Sequence, residues 1–268
     1  MKRGRKLGQV TIFFIIGIAI IGAVIIGMFI LRNINNSNNN LDSSSKERAE
    51  SIYNSILDCQ KIAADNSVMR IGMQGGYSNY SSKYFDLGWT FIPYYYSLGT
   101  LDFPTKENVE DSISKNFDST LENCIDFIDT SGMTLIIKVP KTKVEISKDV
   151  ALFNTDMSFS IGNNGSVLKY NLVDSPYLGN YKIYNMYEVA KYITDSHSSE
   201  SKTLCMDCLV EMADSNSIYV DFANIDENTK MVILSEKLNN SIGDFVYQFI
   251  EEYTPQEKSN APKISGSS

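Results

Sequence analysis

Residues 10–31, VTIFFIIGIAIIGAVIIGMFIL, form an unbroken run of 22 uncharged, almost wholly apolar residues. About 20 such residues cross the ~30 Å hydrocarbon layer as a helix, so the run predicts a transmembrane span. Four positive charges precede it in MKRGRK, and basic flanks stay on the cytoplasmic side. A cleaved secretory segment would have a shorter apolar core and a small-residue cleavage site, which is absent here. The expected order is therefore a cytoplasmic N-terminus (1–9), a bilayer-spanning helix (10–31), and everything after Arg32 outside the membrane.

Residues 32–45 are Asn- and Ser-rich and read as a flexible tether. From Lys46 apolar positions recur at three- and four-residue spacing, through Ala49, Ile52, Ile56, Cys59 and Ala63. That period predicts a helix, ending near the glycines of residues 72–76, where a left-handed cap is available. A second amphipathic helix is expected over 106–129, with Val109, Ile113, Phe117, Leu121, Ile125 and Ile128 on one stripe and Thr105 as its cap. Between the two lies a stretch without clear period, residues 77–103, holding ten aromatics that include Trp89 and the run Tyr94, Tyr95, Tyr96.

After Gly132 the pattern turns to Val-, Ile- and Phe-rich runs. Strands are expected over 133–139, 143–147, 150–161 and 167–173, with a hairpin turn at 163–166. Residues 182–197 and 203–214 read as helices, and 217–222, 231–235 and 245–251 as further strands. Residues 254–268 are polar and read as a disordered tail. Helices followed by a mainly antiparallel sheet give an α+β expectation, with a helical, aromatic-rich part (46–131) and an α+β part (132–253).

Charge narrows the partners. Without the five basic residues at or before Arg32, 19 basic residues face 32 acidic ones, a net −13 for the external part. Nucleic acid and anionic headgroups both need clustered Lys and Arg, so neither is expected as a partner. The expected partners are the lipid bilayer, through 10–31, and a cell-envelope protein or glycan. Asn-x-Ser sequons begin at Asn35, Asn79, Asn164 and Asn239.

Four cysteines outside the membrane read as disulfide partners, because that compartment is usually oxidising. Cys59 and Cys124 each fall at the apolar side of an expected helix, and packing the helices would bring them within bridging distance. Cys205 and Cys208 form a CxxC. Three connectivities are formally open. A structural bridge is the leading expectation for the CxxC. Redox work would need a low-pKa thiol at a helix N-terminus, which Thr203 could cap, but no buried strand leads into the motif. His197 is the only histidine, and with Cys205 and Cys208 it supplies three metal ligands where a closed zinc site needs four. It reads instead as an exposed residue at a fraying helix end. There is no H-E-x-x-H, G-x-S-x-G or P-loop, and no catalytic, metal or cofactor site is assigned. Tyr94, Tyr95, Tyr96 and Trp89 are the candidates for recognition, set against a role in filling the core.

Gly8-Gln9-Val10-Thr11-Ile12-Phe13, after the basic start, resembles archaeal class III signal peptides of type IV pilin-like proteins. The resemblance implies cleavage between Gly8 and Gln9 with the apolar helix retained. Phe13 stands where pilins typically carry Glu. A wider resemblance is to uncharacterised membrane-anchored proteins of small-genome archaea. They share a similar opening, a cysteine-bearing helix ending in a turn like Gln74-Gly75-Gly76-Tyr77, a Tyr-rich loop and a second cysteine helix. It implies a surface location and a Cys59–Cys124 pair. The expected function is a non-enzymatic, membrane-anchored structural or adhesive surface protein. The alternatives are a pilin-like subunit and a tethered thiol-disulfide oxidoreductase.

Overall fold

A computed structural model of the protein describes residues 43–130, 132–163, 166–198, 204–238 and 241–253. The expected membrane helix, most of the tether, the Gly8/Gln9 cleavage position and the C-terminal tail lie outside the described residues. So does the centre of the 163–166 turn. Among the described residues, no helix is long and apolar enough to cross a membrane.

The fold is α+β and mainly antiparallel. Helix α1 (Ser43–Met73) starts inside the expected tether and buries Ala49, Ile52, Ile56, Cys59 and Ala63, the stripe its spacing predicts, together with Val68 and Ile71. It ends where Gly75 and Gly76 take positive φ (52° and 82°), and the Gly76 amide donates back to the Ile71 carbonyl at 2.8 Å. Helix α2 (Lys106–Ile125) begins at Thr105, whose hydroxyl accepts the Asn108 amide, and buries Val109, Ile113, Phe117, Leu121 and Ile125. It is shorter than its stripe suggests, because Phe127 and Ile128 lie in the turn that follows.

The two helices pack together, and a disulfide joins Cys59 to Cys124 with Cα atoms 5.6 Å apart. A second disulfide joins Cys205 to Cys208. The stretch between α1 and α2 carries three strands that its period did not announce: β1 (Tyr84–Asp86), β2 (Phe91–Ser97) and β3 (Thr100–Leu101). Strand β2 is covered on both faces, so its side chains do not alternate between apolar and polar.

Strands β4 (Thr134–Ile137), β7 (Ser158–Asn163) and β8 (Ser166–Asn171) form one small antiparallel sheet. Strands β5 (Lys141–Ser147), β6 (Val150–Asp156) and β9 (Tyr177–Gly179) form another. The expected single strand over 150–161 thus divides at the buried Met157, where the chain leaves one sheet for the other. Helices α3 (Ile183–Ser198) and α4 (Met206–Ser215) follow, then β10 (Ile218–Asn224), β11 (Thr229–Leu238) and β12 (Ser241–Glu252).

The largest sheet runs β1-β2-β12-β11-β10, with β3 beside β2. All its pairings are antiparallel except β2 with β12, which run parallel with Tyr94 opposite Ile250 and Tyr96 opposite Glu251. The last strand of the chain therefore lies beside one from its aromatic-rich part. One hydrophobic core runs through both parts, from Ile56 and Phe117 to Val232 and Phe249.

Tyr95 is the hinge pin of this arrangement. It is fully buried, stacks on Phe249 at 4.4 Å and meets Phe103 edge-on. Its hydroxyl donates to the Gly75 carbonyl at 2.5 Å, so the Tyr247 hydroxyl, 2.7 Å away, must donate to it. Gly72 lets α1 approach β12: a Cβ there would sit 2.6 Å from the Val246 carbonyl oxygen.

Candidate recognition cleft

The β1–β2 hairpin projects an aromatic tip. Leu87 donates its amide to the Thr90 carbonyl at 2.9 Å, and Asp86 accepts the Gly88 amide at 2.7 Å, where Gly88 has φ +84°. This tight turn leaves Trp89 with 73% of its surface in solvent. Tyr80, 64% exposed, stacks on Tyr84 at 4.3 Å and tilts against Phe91 at 4.9 Å. Lys83 supports the hairpin's base by pairing with Glu252 of β12 and lying over the Tyr94 ring at 4.4 Å.

Behind the tip is a cleft of about 250 Å³. Trp89, Tyr80 and Phe91 line it, together with Arg70, Gln74, Ser78, Asn79, Asp86 and Thr90. Gln74 directly follows α1 and its amide donates to the Arg70 carbonyl at 3.1 Å, which keeps the two one turn apart on the same side. Gln74 is only 4% exposed, and its Oε1 has no hydrogen-bond partner. Arg70 is exposed and makes no ion pair among the described residues. The site thus combines aromatic faces, an uncommitted cation and a buried acceptor without a donor.

The four sequence-proposed aromatics separate in space. Trp89 is at the tip, Tyr94 is half-buried under Lys83, and Tyr95 and Tyr96 are core residues. Sequence reasoning missed Tyr80, Arg70 and Gln74. The signal for the last two was present: a cation and an amide four residues apart where the helix ends, just before Gly75-Gly76.

A broader groove of about 590 Å³ lies between α1 and the β4-β7-β8 sheet, with Tyr53, Phe159 and Tyr170 stacked along it and Lys138, Lys169 and Asp174 among its other lining residues. Tyr53 is tied by its hydroxyl to Ser175 Oγ at 2.9 Å, and burial pushes the Tyr170 phenol upward. These rings hold α1 to the sheet.

His197 is not at an exposed, fraying end as its Ser-rich surroundings suggested. It is 4% exposed, with Nδ1 3.2 Å from Glu251 Oε2 and Nε2 3.0 Å from the Tyr253 hydroxyl. Thr194 donates to the other Glu251 oxygen at 2.6 Å. Glu251 is fully buried, and desolvation raises its carboxyl above the ordinary value. The cluster ties α3 to β12 and opens onto neither cleft described above.

Cys205 and Cys208 are exposed at the start of α4, where Cys205 caps the helix and its sulfur accepts the Cys208 amide at 3.2 Å. No group of three or more metal-ligating side chains is gathered among the described residues. No protein family, curated protein or solved structure matches the chain.

Proposed function

We propose that the chain is a membrane-anchored surface protein whose external α+β domain binds a component of the cell envelope, without catalysing a reaction. The observation that carries this reading is the Trp89 hairpin tip. A large aromatic held in solvent by a tight turn loses the favourable burial that the other rings obtain, and exposed aromatics beside polar side chains mark binding surfaces. The anchor rests on the apolar run 10–31 with its basic flank, and two disulfides suit an oxidising exterior.

The test uses the full-length protein in neutral-lipid nanodiscs, mixed with cell envelopes isolated from the producing organism. Wild type should cosediment saturably, and Trp89→Ala or Tyr80→Ala should lower the retained fraction about tenfold or more. Equal retention of wild type and both variants would overturn the hairpin as the binding surface. On intact cells, added protease should remove the folded domain and leave the basic N-terminus protected.

One observation favours a second reading, a tethered thiol-disulfide oxidoreductase. An exposed CxxC whose first cysteine caps a helix is the placement that lowers a thiol's pKa. Reduction of a test disulfide with dithiothreitol as the electron source, faster with the protein than without it and slowed to the background rate in Cys205→Ser, would establish it. Inertness with both thiols free would remove it.

A further inference from the structure

Resting on the binding reading above, we propose that the Arg70–Gln74–Trp89 cleft takes one terminal sugar ring bearing a carboxylate. A pyranose has an apolar C–H face and a rim of hydroxyls that both donate and accept. Trp89 and Tyr80 supply exposed aromatic walls for the first, and Arg70, Gln74, Asn79 and Asp86 supply polar partners for the second. The most demanding of these is Gln74. Its Oε1 is buried with no donor, so a ligand hydroxyl reaches it only as the Gln74 side chain turns toward the cleft that the residue lines. A ligand hydroxyl donating there satisfies the group.

Arg70 selects the charge. Its guanidinium has no carboxylate partner among the described residues, and such a fork binds a carboxylate through two parallel hydrogen bonds. Asp86 also lines the cleft, but its Oδ1 accepts the Gly88 amide that shapes the turn and it forms no ion pair with Arg70, which leaves the guanidinium to the ligand. The external part is otherwise strongly acidic, at 19 basic against 32 acidic residues. That field disfavours a polyanionic chain and leaves a single carboxylate at a chain end as the better fit.

Size argues for one ring. At about 250 Å³ the cleft is smaller than the ~300–1,000 Å³ of pockets that enclose drug-sized ligands. A protein partner is the competing class, since Trp, Tyr and Arg also dominate protein interfaces. The concave form favours the sugar, because a ring with donors around its rim can enter it and meet the Gln74 amide as that side chain turns.

Trp89 is the only tryptophan in the chain, so intrinsic emission reports this site alone. The full-length protein, produced without glycosylation and held in neutral-lipid nanodiscs, is titrated with glucuronic acid and with glucose at constant ionic strength. Glucuronic acid should change Trp89 emission saturably, and glucose should bind about tenfold more weakly, the worth of one charge-assisted contact. Arg70→Gln, at an exposed position, should fold normally and erase the preference between the two sugars. Gln74→Ala should weaken both. A response to neither sugar, or an equal response to both, overturns the proposal.

Full occupancy of Asn79 by an N-glycan in protein from its native membrane would also overturn it, since the chain's own sugar would then fill the rim. The outcomes separate from those of the envelope experiment. Trp89-dependent envelope capture with no response to sugar leaves the binding reading standing and points to a protein partner. Loss of both removes the hairpin as a binding surface altogether.

Discussion

Two buried polar residues show how side-chain chemistry fixes this fold. Glu251 is enclosed by His197 and Thr194, and burial raises its carboxyl above the ordinary value of 4.5. The folded state therefore holds the proton to higher pH than the unfolded chain does. Glu251 stabilises the fold fully below the unfolded value, and that contribution is lost as pH rises through the folded one. Glu251→Gln keeps the shape and an acceptor for Thr194 but cannot ionise. Its urea midpoint should vary less with pH than wild type's, and wild type should lose ground to it as pH climbs above the ordinary glutamate range. Parallel profiles would mean that the carboxyl does not titrate differently on folding. At Tyr95 the cost is of another kind. Tyr95→Phe strands the Gly75 carbonyl and removes the acceptor of Tyr247, so denaturation should show a loss of about 1–3 kcal/mol with an unchanged slope.

At the scale of elements, the two disulfides have unequal consequences. Cys59–Cys124 joins two packed helices across a sequence separation of 65, whereas Cys205–Cys208 spans only three. Constraining the longer loop removes far more freedom from the unfolded chain. Replacing Cys59 and Cys124 together by Ser should cost about 2–4 kcal/mol in urea denaturation, and the same change at 205 and 208 much less. Non-reducing peptide mapping with free thiols blocked checks the pairing directly. The helices carrying Cys59 and Cys124 were legible because each buries one stripe against one neighbour, which leaves a three-to-four period in the sequence. Strand β2 was not, because Phe91, Ile92, Tyr95 and Tyr96 are buried between two layers and no alternation survives. The cleft was half legible. Trp89 was among the aromatics named for recognition or core filling, but nothing in the sequence set it apart from Tyr95 and Tyr96, and nothing local to Gln74 says that its amide lacks a partner. The pairing of His197 with Glu251 was hidden for a related reason: 54 residues separate them, and only the docking of α3 on β12 brings them together.

The whole molecule depends on one long-range closure. Strand β2, from the aromatic-rich part, lies parallel to β12, the last strand of the chain, and Tyr95 with Phe249 and Tyr247 seals the join. Helix α1 crosses the same strand at Gly72, close enough that a Cβ would collide with the Val246 carbonyl. Neither side of the composition change near residue 131 can therefore bury its surface alone. The part before it would expose Tyr95, Phe91 and the inner face of α1, and the part after it would leave a β12 edge unpaired, an open site for association. A fragment of residues 1–131 should accordingly lack the native near-ultraviolet dichroism of its tyrosines, and a 132–268 fragment should aggregate. The intact chain should unfold in one transition, with far- and near-ultraviolet signals coincident. Two separated transitions, or a 132–268 fragment that melts cooperatively with its Cys205–Cys208 bridge in place, would show that β12 does not need β2. The hairpin would then be an appendage on an independent scaffold. With closure required, the Trp89 tip is rooted in the sheet itself through Lys83 and Glu252, and its cleft is held in shape before any ligand arrives.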